Sequence, residues 1–333
     1  MTAAALARPH AAERGLRRTD PRRDMDGVAR VVQIAFAGQL DASGLRVLRD
    51  MRLLGAAGWL GWALGRLILP PGSSPDGFVW LEAGRIVGNV SLLSVEGEPR
   101  RWVMANVAVH PDHRRRGIGR ALVQAALELA GQRRSETVVL QVDRANHAAR
   151  ELYRSLGFQV TSTRTTWVRP RGLPKPRPIV LTGLRPRAFP EWREQWELGR
   201  RLHPDGFWWP FPPDERLFRG SGVPAAVGMD WTRHWVWKPE AETLASLSAH
   251  ARLMSGYRFL LMIDPAHKGA VEKAVLSRAL ADLPEGSGGM LEYAAGDAEP
   301  DLWELGFRPD RTLTWMAREL APQHGLQPGD KPG

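Results

Sequence analysis

Apolar residues recur along the first half of the chain with two alternating periods, one suited to helices and one to strands. Over residues 24–36, Val28, Val31, Val32 and Ala35 share one stripe and predict a helix. A short strand is expected before it at 15–19, a second helix at 43–54, and a loop with Gly and Pro at 55–74. Residues 78–82 and 85–95 flank Ala83 and Gly84 as a hairpin, and 101–110 reads as a further strand. Residues 117–131 then predict a helix whose apolar face is Ile118, Leu122, Ala125, Ala126 and Leu129. A short buried strand at 137–142, a helix at 146–156 stopped by Gly157 and a strand at 158–168 complete the series. Alternating helices and strands with hairpins at the front imply an α/β domain on a mixed sheet.

The segment RPRGLPKPRP at 169–178 carries four prolines in ten residues, which favours an extended spacer. The expected division is a disordered tail at 1–15, a first domain at 16–170, a linker at 171–178, a second domain at 179–320 and a disordered tail at 321–333. The second half echoes the first. LQVDRANHAARELYRSLGFQVTSTRTTWV at 140–168 and LEYAAGDAEPDLWELGFRPDRTLTWM at 291–316 both read strand, helix, Gly-Phe, strand, Trp. Upstream, VHPDHRRRG at 109–117 answers IDPAHKG at 263–269, so an internal duplication is expected. In this alignment the second loop is two residues shorter, lacks the second glycine, and sets Trp303 at the place of Tyr153. The stretch before Tyr257 fits the repeat poorly, because a helix is expected over 240–253.

Composition narrows the chemistry. The 333 residues contain no cysteine, which excludes a disulfide framework, a zinc-thiolate site and a thiol nucleophile. The net charge is +10, but only five of the 46 basic residues are Lys. That even use of Arg points to a compositional habit rather than a nucleic-acid surface, so no nucleic-acid partner is expected. No apolar run approaches the ~20 residues of a membrane span, and no membrane partner is expected. His110 and His113 have no carboxylate at ligand spacing, so no metal is expected. Fourteen tryptophans, with FWWPFPP at 207–213, suggest packing in the second half or an acceptor wall.

The candidate chemistry lies in NVAVHPDHRRRGIGRAL, residues 106–122. A strand runs into a loop with Gly117 and Gly119 that opens a helix. Such a start exposes unpaired N–H groups at the positive end of the helix dipole, a seat for a pyrophosphate. Arg114, Arg115 and Arg116 add charge. The Lys-Ser/Thr pair of a Walker loop is missing, and the spacing does not match a dinucleotide fingerprint. Downstream, Ala149, Leu152, Tyr153 and Leu156 share a helical face.

Together these two stretches resemble the GNAT superfamily of N-acetyltransferases. Arg114, Gly117 and Gly119 stand at that family's loop pattern. Asn146, Ala149, Leu152, Tyr153, Gly157 and Phe158 stand at its later pattern. The resemblance implies an α/β fold of two tandem GNAT-like domains, each a mixed, mostly antiparallel sheet flanked by helices, the second degenerate. The layout is similar to that of tandem acetyltransferases such as mycothiol synthase. It implies a cytoplasmic acyltransferase moving an acetyl group from acetyl-CoA to a primary amine, expected to be that of a small molecule, the alternatives being a non-catalytic acyl-CoA-binding regulator or a protein or peptide N-acetyltransferase. By the same resemblance, amides of Arg115, Arg116, Gly117, Ile118, Gly119 and Arg120 hold the pyrophosphate. Val107, Ala108 and Val109 pair with the pantetheine arm, Tyr153 protonates the leaving thiolate, and Asn146 positions it. The glutamate many members carry before the loop is replaced here by Met104 or Ala105, leaving Glu82, Glu96, Glu98 and His110 as weak candidates for a base.

Overall fold

The computed structural model describes residues 14–37, 76–204, 206–219, 232–252 and 256–320. The expected helix at 43–54, the loop at 55–74 and all but two residues of the expected tails lie outside them. The chain forms two compact units that interleave in sequence. The N-terminal unit takes Met1–Leu140, Glu151–Gln159 and Ala317–Gly333, and the C-terminal unit takes Gln141–Arg150 and Val160–Met316. The expected single cut at 171–178 is thus replaced by exchanges of short segments.

In the N-terminal unit, strands β1 (Gly15–Arg18), β2 (Asp76–Glu82), β3 (Arg85–Val95) and β4 (Glu98–Val109) pair antiparallel in that order. Strand β5 (Thr137–Asp143) joins β4 in parallel. Helix α1 (Met25–Ala35) lays Val28, Val31 and Val32 on one face of the sheet, against Val79 and Ala108. Helix α2 (Ile118–Gln132) buries Ile118, Leu122, Ala125, Ala126 and Leu129, the predicted stripe. It seats against β3 at Gly88, where a Cβ would come within 2.9 Å of Leu122 Cδ1 and 3.0 Å of Ile118 Cγ2. The missing side chain there lets the start of α2 approach the sheet closely. Helix α3 (His147–Ser155) ends in a turn closed by Gly157 at φ 83°.

Residues 317–320 complete this unit. The Leu320 amide donates to the Glu136 carbonyl (2.7 Å), the Thr137 hydroxyl to the Glu319 carboxylate (2.9 Å), and the Arg318 guanidinium to the Leu156 carbonyl (2.6 Å).

The C-terminal unit repeats the plan. Strands β7 (Leu184–Pro186), β8 (Arg233–Trp237), β9 (Ala245–Arg252) and β10 (Gly256–Ile263) are antiparallel, and β11 (Gly289–Ala294) joins β10 in parallel. Strand β6 (Gln159–Arg169), from the first repeat, pairs antiparallel with β11, and β12 (Arg308–Glu319) lies beside β6. Helix α4 (Trp192–Leu202), the short α5 (Arg216–Arg219), α6 (Glu272–Asp282) and α7 (Glu299–Glu304) complete it. The helix expected over 240–253 is strand β9. Ser246 and Ser248 on one face are as fully buried as Leu247 and Ala249 on the other. A strand buried on both sides shows no polar alternation, so its period was hidden. With β8, β9 and β10 in place, the repeat extends upstream of Tyr257. The aromatic loop is largely packing: Phe207 lies in a cluster with Leu198, Phe218 and Met262, and Trp208 is held between His250 and the Arg258 guanidinium.

A chain ending at Met316 leaves the Glu136 and Leu156 carbonyls without these partners. Each lost hydrogen bond costs about 0.5–1.5 kcal/mol. Thermal unfolding of that truncation is expected to begin at lower temperature than in the full chain, with the loss of hydrogen-exchange protection concentrated in β5 and the end of α3.

Candidate active site

The site begins where two strands part. The parallel pairing of β4 with β5 covers only Arg101–Val103 against Thr137–Val139. Beyond it the β5-facing edge of β4 runs without a strand partner among the described residues, and parallel strands that splay leave main-chain donors and acceptors available. On its other edge β4 carries a bulge. Pairing with β3 jumps from Asn89↔Ala108 to Ser91↔Ala105, so Asn106 and Val107 oppose the single residue Val90. Asn106 takes φ 52°, the left-handed region that Asn tolerates better than most residues. The bulge is held by Asn89, 1% exposed, whose amide donates to the Asn106 carbonyl (2.9 Å) and the Ser91 hydroxyl (3.3 Å). The sequence reading missed Asn89. Its signal was a polar residue inside the apolar run of β3.

After β4 the chain makes a 3₁₀ turn at Pro111–His113, bends through Arg115 at φ 62° and Gly117 at φ 77°, and enters α2. The first helical amide with a carbonyl partner is that of Ala121, bonded to Gly117. Ile118, Gly119 and Arg120 are the orphan donors of the helix start, with no side-chain cap on Gly117. The three arginines divide their roles. Arg114 donates to the Val109 carbonyl (3.2 Å) and the Ala35 carbonyl (3.3 Å), which ties the loop to β4 and α1. Arg116 folds back on the Asp112 carbonyl (3.0 Å). Arg115 alone of the three has an exposed guanidinium without a hydrogen-bond partner among the described residues. The expected charge cluster is therefore one open cation and two loop braces. Among the strand residues, Ala108 is buried against α1, while Val107 and Val109 point to the opposite face.

Helix α3 reaches this loop. A Cβ on Gly119 would lie 3.5 Å from Leu152 and 3.8 Å from Val109, so loop, strand end and α3 meet there. The Arg120 guanidinium donates to the Ser155 hydroxyl (2.7 Å) and fastens α2 to α3. Tyr153 is 5% exposed and packs edge-on against Phe158. Its hydroxyl has no hydrogen-bond partner among the described residues. Burial raises the phenol above its ordinary value of 10.0, because the phenolate has lost its water. Asn146 uses its side-chain oxygen to accept the Ala149 amide (3.1 Å), a helix cap.

The candidate bases separate by position. Glu96 and Glu98 flank the β3–β4 turn, at the far end of β4 from the loop, a strand length of roughly 33 Å. Glu82 is bound to Arg14 (3.0 Å), and its carboxyl is held below the usual range by the Trp80 indole hydrogen bond first and Arg14 next. The His110 imidazole accepts from the Asp112 amide (3.3 Å) and lies edge-on to His113. No group of three or more potential metal ligands gathers among the described residues.

A family model described as acetyltransferase (GNAT) family matches residues 59–158. Over that stretch, three tenths of the chain, the sequence is similar to that family. Over 81 residues, 23% of this chain, it is 37% identical to N-acetyltransferase family 8 member 3 of Rattus norvegicus, covering 36% of that protein. Over 62 residues it is 40% identical to the ribosomal protein bS18-alanine N-acetyltransferase of Escherichia coli K12, covering 42% of it. The chain thus spans about two fifths of the length of these curated relatives. A GCN5-related N-acetyltransferase from Sphaerobacter thermophilus aligns over 91% of this chain and 95% of its own with TM-score 0.59 at 16% identity, a likeness of fold.

The C-terminal unit holds a second copy of this loop, and its geometry corrects the sequence alignment. Its 3₁₀ turn is Pro265–His267, and its helix starts at Glu272. Pro111 to Ile118 and Pro265 to Glu272 are equal in length. Gly269 at φ 82° therefore answers Arg115 at φ 62°, not Gly117. Val271 stands at the Gly117 place with φ −121°. Further on, Phe158 N–H donates to the Tyr153 carbonyl and Phe307 N–H to the Leu302 carbonyl. The counterpart of Tyr153 is Leu302, and Trp303 answers Arg154. The sequence alignment slipped because α7 is shorter than α3.

The contrast between the two loop glycines is testable. Gly117→Ala forces a side chain into the left-handed region, at a cost of about 1–2 kcal/mol. Gly119→Ala meets only ordinary contacts. Urea denaturation is expected to give a clearly lower midpoint for the first variant and a near-unchanged one for the second.

Proposed function

We propose that the protein is a cytoplasmic acetyl-CoA-dependent N-acetyltransferase that acts on a primary amine, in the first instance that of a small molecule. The observation that carries this reading is one constellation: an unpartnered stretch of β4, the open amides at the start of α2, and an unpartnered, protonated phenol on the helix that touches both. The residues suit the co-substrate. Gly117 leaves open space where a Cβ would project, and Ile118, Gly119 and Arg120 supply amides at a helix N-terminus, a fit for a pyrophosphate. Arg115 adds an exposed cation.

The free edge of β4 after Val103 pairs with the amides of the pantetheine arm. The bulge at Asn106 and Val107 turns one main-chain N–H toward the thioester oxygen and stabilises the charge that develops there. Tyr153 gives its proton to the departing sulfur. The raised basicity of the resulting phenolate lets it recover a proton released by the acceptor nitrogen. Bond making at carbon, cleavage of the carbon–sulfur bond and the two proton movements then balance, and no covalent enzyme adduct is needed. With no carboxylate of Glu96 or Glu98 within reach, the acceptor amine enters neutral.

The E. coli relative is named for the alanine of a ribosomal protein, which favours a protein N-terminal amine as the second reading. Peptides and small amines assayed side by side separate the two.

The test is release of CoA thiol with a panel of amines, read by a thiol reagent. The absence of cysteine in the chain keeps the background low. Tyr153→Phe is expected to lower turnover about 10²-fold or more while acetyl-CoA affinity by calorimetry stays within about twofold. Unchanged turnover removes Tyr153 from the mechanism. Because burial keeps the phenol protonated, the rate is expected to rise with the neutral fraction of the acceptor and to show no descending limb below pH 10.0.

A further inference from the structure

The second loop carries an anion of its own. Glu272, the first residue of α6, is 0% exposed. Its carboxylate accepts the Gly269 amide through both oxygens (2.8 Å each), the Val271 amide (3.2 Å) and the Tyr293 hydroxyl (3.0 Å). The intervening Ala270 amide is bonded to the His267 carbonyl (3.2 Å). Every main-chain donor from Gly269 to Val271 is therefore taken. In the N-terminal unit the matching position is Ile118, an apolar residue that offers the loop nothing, and the amides there are left for a ligand.

An exposed glutamate in the first turn of a helix would be an ordinary dipole partner. Glu272 is a different case. A carboxylate withdrawn from water is costly unless several donors replace the water. Here the donors are the amides of a loop shaped by the same 3₁₀ turn and the same positive-φ residue as the pyrophosphate loop, in the concave arrangement that binds anions.

We infer that Glu272 is an internal substitute for a phosphate. It fills the loop part of the anion site of the C-terminal unit, from Gly269 to Val271, and sets a negative charge at the start of α6, so that unit takes no nucleotide diphosphate and the chain has a single acyl-CoA site, in the N-terminal loop. The occupancy of the second loop stands on its own geometry, and only the count of acyl-CoA sites rests on the reading above. Tyr293 belongs to the same device. Its phenol is pushed up first by burial and then by the Glu272 charge, which keeps it a donor.

The test is chemical rescue in the full chain. Glu272→Ala empties the nest and is expected to lower the thermal midpoint. Inorganic phosphate, against sodium chloride of equal ionic strength, is expected to raise that midpoint by several degrees more than it raises the wild-type midpoint. Subtracting the wild-type response removes any phosphate bound at the N-terminal loop. An equal response in the two proteins overturns the inference, as does a Glu272→Ala chain as stable as wild type. Should the alanine variant not fold, calorimetry of the wild-type chain decides. Acetyl-CoA binding at one site per chain, abolished by Gly117→Val, supports the proposal, and two sites per chain overturn it. No acetyl-CoA binding at all, with phosphate rescue intact, removes the functional reading and leaves the filled second loop standing.

Discussion

The arrangement depends on the early separation of β4 from β5. Three residue pairs hold the strands together, and after Val103 and Val139 they diverge. A buried main chain without partners is unfavourable, so a gap of this kind persists only if something stabilises its walls. The bulge at Asn106, pinned by the Asn89 amide, stiffens one wall. Helix α2, pressed onto β3 at Gly88, stiffens the floor. The open donors of the loop then arise as a by-product of a rigid frame, and their readiness for an anion needs no rearrangement.

The duplication shows one scaffold with two fates. Both loops leave a parallel-paired strand, make the same 3₁₀ turn and bend at a positive-φ residue. In one, glycine and isoleucine leave the amides open. In the other, glutamate takes the loop amides of Gly269 and Val271, and leucine takes the place of the phenol. The second copy keeps its strand order and its helix, so the change at the loop did not require loss of the fold. A fixed carboxylate also removes the need for a bound anion to satisfy the loop, which makes that unit independent of ligand concentration.

The frame of the N-terminal unit was legible because its signals are local. The stripe Ile118, Leu122, Ala125 needs only a period of 3.6, and Gly117 before a helix needs only a turn. Strand β9 was misread because burial on both faces erased its alternation. The loop alignment slipped because it matched glycine to glycine, whereas the backbone matches positive φ to positive φ and lets Arg115 stand for Gly269. Asn89 and Glu272 could not be placed by pattern at all. Each acts through a partner far along the chain, the carbonyl of Asn106 or the hydroxyl of Tyr293, and such pairs exist only once the sheet has formed. The arginine run carried more than charge. Charge alone did not show that Arg114 and Arg116 also hold carbonyls of their own chain.

The contribution of residues 317–320 to the N-terminal unit has a consequence for how the protein is made. Strand β5 and the end of α3 receive those partners from a segment translated about 150 residues after β6. At ~5–20 residues per second, a ribosome needs roughly 8–30 s to supply it. During that interval the first unit waits with Glu136 and Leu156 unpartnered. The nascent chain must therefore hold its N-terminal unit in an unfinished state while the other half is being built, and the two copies of the duplicated segment cannot mature as beads on a string.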